Sequence, residues 1–149
     1  MDGAEVHIYW VRDRDEMRGA LELREQVFCG EQGVPRSEEL DGLDEAALHL
    51  LARAPDTEQV IGTLRLLLTG EKAKIGRVAV RSDWRRRGIA SRMLTLALLK
   101  ARERGCRSAR LAAQLESTGL YEQAGFNVQS EIFQEAGIEH VWMGMELNH

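Results

Sequence analysis

The sequence predicts an α+β (mixed α/β) fold, a single domain over residues 1–149 with a central mixed β-sheet of about six to seven strands flanked by helices. Three observations predict it. The chain is long enough to bury one ordinary core and too short for two. Runs with a period of two alternate with runs of helical period, in the order β-α-β-β-β-α-β-α-β-β. A long helical run also stands between two apolar strand-like runs, and a helical crossover of that kind joins parallel strands.

Glu5 to Val11 alternates polar and apolar side chains and reads as the first strand. Asp13 is placed to cap a helix, with Glu16 three residues on as its capping-box partner. Met17, Ala20, Leu21, Arg24, Val27 and Phe28 mark one helix face up to about Cys29, where Gly30, Gly33 and Pro35 stop it. Residues 31–45 carry Glu31, Glu38, Glu39, Asp41, Asp44 and Glu45 against Arg36 alone, and read as an acidic loop with a short helical turn. Ala47 to Arg53, Val60 to Thr69 and Lys74 to Val80 form a three-stranded meander turning at Pro55-Asp56 and Gly70-Glu71. A helix from about Ile89 to Arg104 follows and ends at Gly105. Arg107 to Ala113 is the next strand, and Ser117 or Thr118 caps a short helix that Gly125 closes. Phe126 to Phe133 and Ile138 to Leu147 are closing strands joined at Glu135-Ala136-Gly137.

Charge is distributed unevenly along this plan. The net charge is −4, yet residues 71–110 hold 13 of the 20 Lys and Arg and only Glu71, Asp83 and Glu103 of the 24 acids, so that segment is +10 and the rest −14. The basic turn Arg85-Arg86-Arg87-Gly88 leads straight into the long helix. Helix-opening amides lack internal partners and carry partial positive charge, so an anion is expected at Gly88 to Ser91. A small phosphorylated ligand fits better than nucleic acid: Trp84 is the one aromatic in the turn region, and the acidic remainder repels a long phosphate backbone. No run has the eighteen or so apolar residues of a membrane span, and Met1-Asp2-Gly3 is not a cationic leader, so a cytoplasmic protein with no membrane partner is expected. Cys29 and Cys106 read as reduced thiols, and the histidines at 7, 49, 140 and 149 form no ligand cluster, so no metal is expected.

Two motifs carry a family resemblance. Val78-Ala79-Val80 precedes Arg85-x-x-Gly88-x-Ala90 at the opening of a helix, and downstream come Gln114, Ser117, Leu120-Tyr121-Glu122 and Gly125-Phe126. Together they resemble the Gcn5-related N-acetyltransferases (GNAT), over roughly Ala4 to Leu147. Arg24-Glu25-Gln26-Val27-Phe28, Glu31-Gln32-Gly33-Val34-Pro35, Gly76-Arg77, Ala113-Gln114 and Gly137-Ile138-Glu139-His140 further resemble an ElaA-like subgroup.

The resemblance implies an acetyl-CoA-dependent N-acetyltransferase acting on a small-molecule or peptide amine, as a monomer or homodimer. It implies that the backbone of Val78, Ala79 and Val80 runs along the pantetheine arm. The amides from Arg86 through Gly88 and Ile89 to Ala90 and Ser91 then cradle the pyrophosphate, with Arg85, Arg86 and Arg87 supplying charge. Gln114 stands where the family motif has Asn and is counted with the cofactor residues. Tyr121 is the candidate general acid for the departing thiolate; its alternative role is packing against Phe126. No carboxylate lies in the strand 74–80, so the candidate bases are an ordered water or an acid of the loop such as Glu31 or Glu39, with His49 and His140 as alternatives. Glu31, Asp41, His49 and His140 are candidates for contact with the acceptor, and the loop's charge points to a cationic amine. The alternative functions are a non-catalytic acyl-CoA sensor and a nucleic-acid-binding module.

Overall fold

The computed structural model describes residues 5–147. Its elements are β1 (His7–Trp10), α1 (Arg14–Arg24), α2 (Arg36–Glu39), β2 (Leu48–Arg53), β3 (Val60–Thr69), β4 (Lys72–Val80), α3 (Ile89–Glu103), β5 (Ser108–Gln114), α4 (Thr118–Gln123), β6 (Asn127–Val128), β7 (Phe133–Glu135) and β8 (Ile138–Glu146). The strands form one mixed sheet in the order β1-β2-β3-β4-β5-β8-β6, with β7 beside β6 on the outer edge of β8. The expected order therefore holds, with eight strands in place of six or seven. The single strand expected over 126–133 is two short ones, because the backbone leaves the ladder after Gln129, whose amide still donates to the Trp142 carbonyl at 2.8 Å, and rejoins it at Phe133.

Local chemistry explains the helices that matter for the site. Asp13 accepts the Glu16 amide at 2.9 Å, and the Glu16 carboxylate reaches back to the Arg12 amide at 2.7 Å. That is a capping box displaced by one residue. The chain after α1 does not stop at Cys29. It widens into a π-helical stretch, Glu25–Glu31, before Gly33 turns it at φ +70°. Helix α3 buries Ile89, Met93, Leu94, Ala97, Leu98 and Ala101, the larger of them contributing roughly 1.5–3 kcal/mol each. Leu96 and Lys100 stay half-buried at the margin of this face.

Helix α3 crosses from β4 to β5, and these pair in parallel as the crossover requires, from Lys72–Ser108 to Ile75–Leu111. There the ladder ends, although β4 runs on to Val80 and β5 to Gln114. The cause is one extra residue in β4. Strand β3 pairs Thr63 with Ala79 and Arg65 with Gly76, so two steps on β3 meet three on β4. Arg77 sits in this bulge at φ +51°. Side-chain parity confirms it. Ile75 packs in the main core, whereas Ala79 packs with Leu23 and Val27 of the α1 side. An unbroken strand would put both on one face.

The acidic segment 31–45 is drawn in by arginines. Arg24, fully buried, binds Glu39 at 2.6 Å and Asp44 at 2.8 Å. Arg65 from β3 binds Asp41 through two nitrogens, at 2.8 and 2.9 Å. Arg77 reaches the Glu39 carbonyl at 3.0 Å and Asp41 at 3.1 Å. Glu39 and Asp41, read above as a base and an acceptor contact, thus meet guanidinium groups, although both also line the larger cavity of the molecule, and the pairing offsets part of the loop's negative charge. The Arg65 hydrogen bonds hold Asp41 well below the usual carboxylate range. Burial pushes Asp44 up, but Arg24 and Arg65 outweigh it and leave Asp44 below its ordinary value.

Depressed carboxylates stabilise the fold above their ordinary aspartate value of 3.8, and that stabilisation is lost as pH falls below it toward the folded-state values. The expected result is a urea midpoint that falls steeply below about pH 4. In Asp41→Asn the fall should be shallower and start from a lower plateau at neutral pH. An identical acid limb in the variant would remove Asp41 from the account.

Candidate active site

Beyond Ile75 and Leu111 the two parallel strands separate, and a cavity of about 1010 Å³ opens between them. Its walls include Val78 and Val80 of β4, Ala112 and Gln114 of β5, Tyr121 of α4 and His140 of β8. A second cavity of about 380 Å³ shares Val78, Val80 and Tyr121 and continues over Arg86 and Gly88 to Ser91. The two make one path from the middle of the sheet to the start of α3.

The register explains which backbone groups face this path. Arg81 donates its amide to the Ile61 carbonyl, so Ala79 exchanges its peptide hydrogen bonds with β3. Alternation then turns the peptide groups of Val78 and Val80 toward the open side. At the far end Arg86 and Gly88 both adopt left-handed conformations, φ +63° and +78°, which bend successive amides inward. A Cβ on Gly88 would meet no atom within 4 Å, so the space before the turn is open. The first turn of α3, from Ile89 through Ala90 to Ser91, adds its unpaired amides and dipole.

The three arginines of the turn divide. Arg85 and Arg86 line both cavities. Arg85 donates Nε to the Val80 carbonyl at 2.8 Å and pairs through Nη2 with both Glu31 oxygens, at 2.8 and 3.0 Å. Arg87 folds back over the Trp84 ring at 4.6 Å and donates to the Asp83 carbonyl, outside both cavity walls. Glu31 likewise stands outside both walls, engaged by Arg85.

Tyr121 is buried, packs edge-on against Phe126 at 6.2 Å and 75°, and still lines both cavities. The packing role and the access that proton donation needs are thus combined. Burial pushes its phenol up to about 12, so it keeps its proton at neutral pH. Gln114 exchanges amide hydrogen bonds with Gln32 at 3.0 and 3.3 Å, which ties the end of β5 to the loop after the π-helical stretch. His140 is buried in the cavity wall, with Nδ1 2.7 Å from the Ile138 carbonyl. His49 lies outside both cavities, with Nε2 2.9 Å from the Asp44 carbonyl. Burial lowers its pKa, and the ring is held against the acidic segment, away from the cavity walls where acceptor contact was expected.

Cys29 has its thiol pushed up by burial and by the nearby Glu39 and Glu25, which suppresses the thiolate a covalent route would need. Among the described residues no group of three or more His, Cys, Asp or Glu is placed to hold a metal, and no helix is long and apolar enough to cross a membrane. Sequence reasoning missed Gln32, Lys74 and Glu135, all of which line the larger cavity. Gln32 meets its partner 82 residues away. Glu135 reads as a turn residue, and only its pairing with Ile138 across the hairpin brings it to the cavity.

Comparison with known proteins agrees with this geometry. The chain is 38% identical to UPF0039 protein Rv2851c of Mycobacterium tuberculosis over 142 residues, covering 90% of this chain and 88% of that one. The crystal structure of an acyl-CoA N-acyltransferase from Pseudomonas aeruginosa superposes with a TM-score of 0.80 at 29% identity, covering 93% of this chain and 98% of that one. Escherichia coli ElaA, 24% identical over 93% of this chain and 99% of its own, shares the fold with a TM-score of 0.80. The model of the acetyltransferase (GNAT) family matches residues 7–126, and with the opened β4–β5 pair and the turn at Gly88 in view, the chain belongs to that family of acyl-CoA N-acetyltransferases.

Proposed function

We propose that this enzyme moves an acetyl group from acetyl-CoA to a primary amine by direct attack of the amine on the thioester. The observation that carries the reading is the continuity of the path. A strand edge whose peptide groups point away from β3, Val78 to Val80, with the Val80 carbonyl accepting from Arg85 Nε, leads without a break into a left-handed turn and a helix N-terminus. A long ligand with an amide-bearing arm and a pyrophosphate matches that sequence of features, so the residues fit the cofactor. The peptide groups of Val78 and Val80 hold the arm. The amides from Arg86 to Ala90 take the pyrophosphate, with the Arg86 side chain beside them.

When bound, acetyl-CoA supplies an acyl group already activated as a thioester. The protein's part is to position it and manage protons. Tyr121 is on the path and protonated, and it donates to the departing sulfur. Glu31 serves a different end. Its pair with Arg85 joins the α1–α2 loop to the end of β4, and acyl-CoA binding would have to accommodate that bridge.

Calorimetric titration with acetyl-CoA tests the cofactor half. Wild type should bind with one-to-one stoichiometry. Gly88→Ala forces a side chain into the left-handed region at a cost of about 1–2 kcal/mol. The variant should bind about tenfold more weakly, and equal affinity would refute the cradle. Free-thiol release across an amine panel tests the chemistry. Tyr121→Phe should lower kcat by about 100- to 10,000-fold while acetyl-CoA affinity holds. Unchanged turnover in that variant would exclude Tyr121 as the acid.

A further inference from the structure

The larger cavity is lined by several acids, of which Glu39 and Asp41 are paired with arginines, and by His140 as its histidine. Four observations bear on His140. First, it faces the right side of the sheet. In the β5–β8 ladder Gln114 pairs with His140 and Ala112 with Trp142, while the intervening Ala113 and Val141 belong to the main core. Gln114 and His140 thus share the face opposite the core, the side on which Gln32 meets Gln114. Tyr121 belongs to the core side. The opening between β4 and β5 joins the two, since both residues line the same cavity.

Second, the tautomer is fixed. Nδ1 lies 2.7 Å from the Ile138 carbonyl. A carbonyl only accepts, so Nδ1 carries the hydrogen and the neutral ring presents the Nε2 lone pair. Third, Nε2 is 3.8 Å from a Glu135 carboxylate oxygen, too far for a hydrogen bond and close enough to attract a cation. An ammonium fits the charge of that gap. Fourth, the ring is held in place. It stacks on Phe133 at 5.9 Å and 26°, and Phe133 stacks in turn on Trp142 at 5.6 Å.

We propose that His140 is the general base that deprotonates the acceptor, with Glu135 attracting the ammonium and stabilising the imidazolium that forms. This rests on the N-acetyltransferase reading above. The atoms balance as follows. Nε2 takes the first proton from the ammonium and passes it to solvent water, which leaves the neutral amine. The nitrogen–carbon bond then forms as the carbon–sulfur bond breaks, the sulfur takes a proton from the Tyr121 hydroxyl, and the second proton of the nitrogen returns through water to the Tyr121 phenolate, so that one proton is released per turnover. Acid and base thus act from opposite faces of one sheet, through the gap where β4 and β5 part.

The test compares benzylamine, an ammonium at neutral pH, with aniline, a neutral amine at that pH that does not need the base. In His140→Gln, thiol release with benzylamine should fall by about 100- to 10,000-fold, and with aniline by less than about threefold. Acetyl-CoA affinity, measured by calorimetry, should be unchanged. Equal losses with both amines, or none with either, would overturn the assignment. Turnover by the wild type separates the two readings: where neither amine releases thiol, the transferase reading itself fails and takes the assignment with it, whereas turnover of either keeps that reading whatever His140→Gln does. An independent check needs no turnover. Two-bond ¹H–¹⁵N correlation of the wild-type imidazole should report the neutral Nδ1–H tautomer for His140, and an Nε2–H tautomer would contradict the proposal.

Discussion

Ile75 and Ala79 stand four residues apart in β4 yet pack on opposite faces of the sheet. The rest of the site depends on the residue inserted between them. Arg77 in its left-handed bulge bends β4 and ends the parallel ladder at Ile75–Leu111. Past that point β4 keeps its antiparallel partner β3, so the strand stays ordered while its other edge is left without a neighbour. An unpaired edge in the middle of a sheet would ordinarily be costly, because buried peptide groups need partners. Here it opens onto a cavity in which a ligand with its own amides can complete the pairing. The cavity comes from the interruption of a sheet and needs no separate pocket-forming domain.

Electrostatics fixes what surrounds this gap. A left-handed arginine is strained by roughly 1–2 kcal/mol, and the Arg77 side chain offsets that by reaching Glu39 and Asp41. The same carboxylates bind the buried Arg24 and Arg65, so the acidic loop is fastened to α1, β3 and the bulge at once. Each carboxylate is shared by two guanidiniums, so removing one arginine leaves its carboxylates with a single partner each and the loop with one attachment fewer. The charge asymmetry of the sequence therefore serves two ends. Arg77 and Arg85 meet the acidic loop as well as lining the cavity, while Arg86 lines both cavities. The excess positive charge that reaches the ligand path is smaller than the +10 of residues 71–110 suggests.

Much of this was legible in the residues. The order of elements, the crossover helix, the glycine turn at its start and the placement of Tyr121 follow from periodicity and from motifs that are local in sequence. What was not legible depends on meetings across the fold. No pattern around Glu39 or Asp41 reveals Arg65, which lies 24 residues beyond Asp41 on a strand that otherwise reads as apolar. The bulge is hidden because Gly76-Arg77-Val78 looks like an ordinary stretch of strand, and only the pairing with β3 exposes the extra residue. His140 was visible as a histidine in a strand. Its parity, its tautomer and the carboxylate of Glu135 appear only when β5, β7 and β8 are brought together.

The central claim is that the free edge of β4 and the turn before α3 form one continuous ligand rail. Amide hydrogen exchange with and without acetyl-CoA tests it at single residues. The account predicts that binding slows exchange at Val78, at Val80 and at Gly88 to Ser91 together, and leaves Lys72 to Ile75, already paired with β5, unchanged. Protection confined to the surface of α3, or spread evenly over β4, would contradict it.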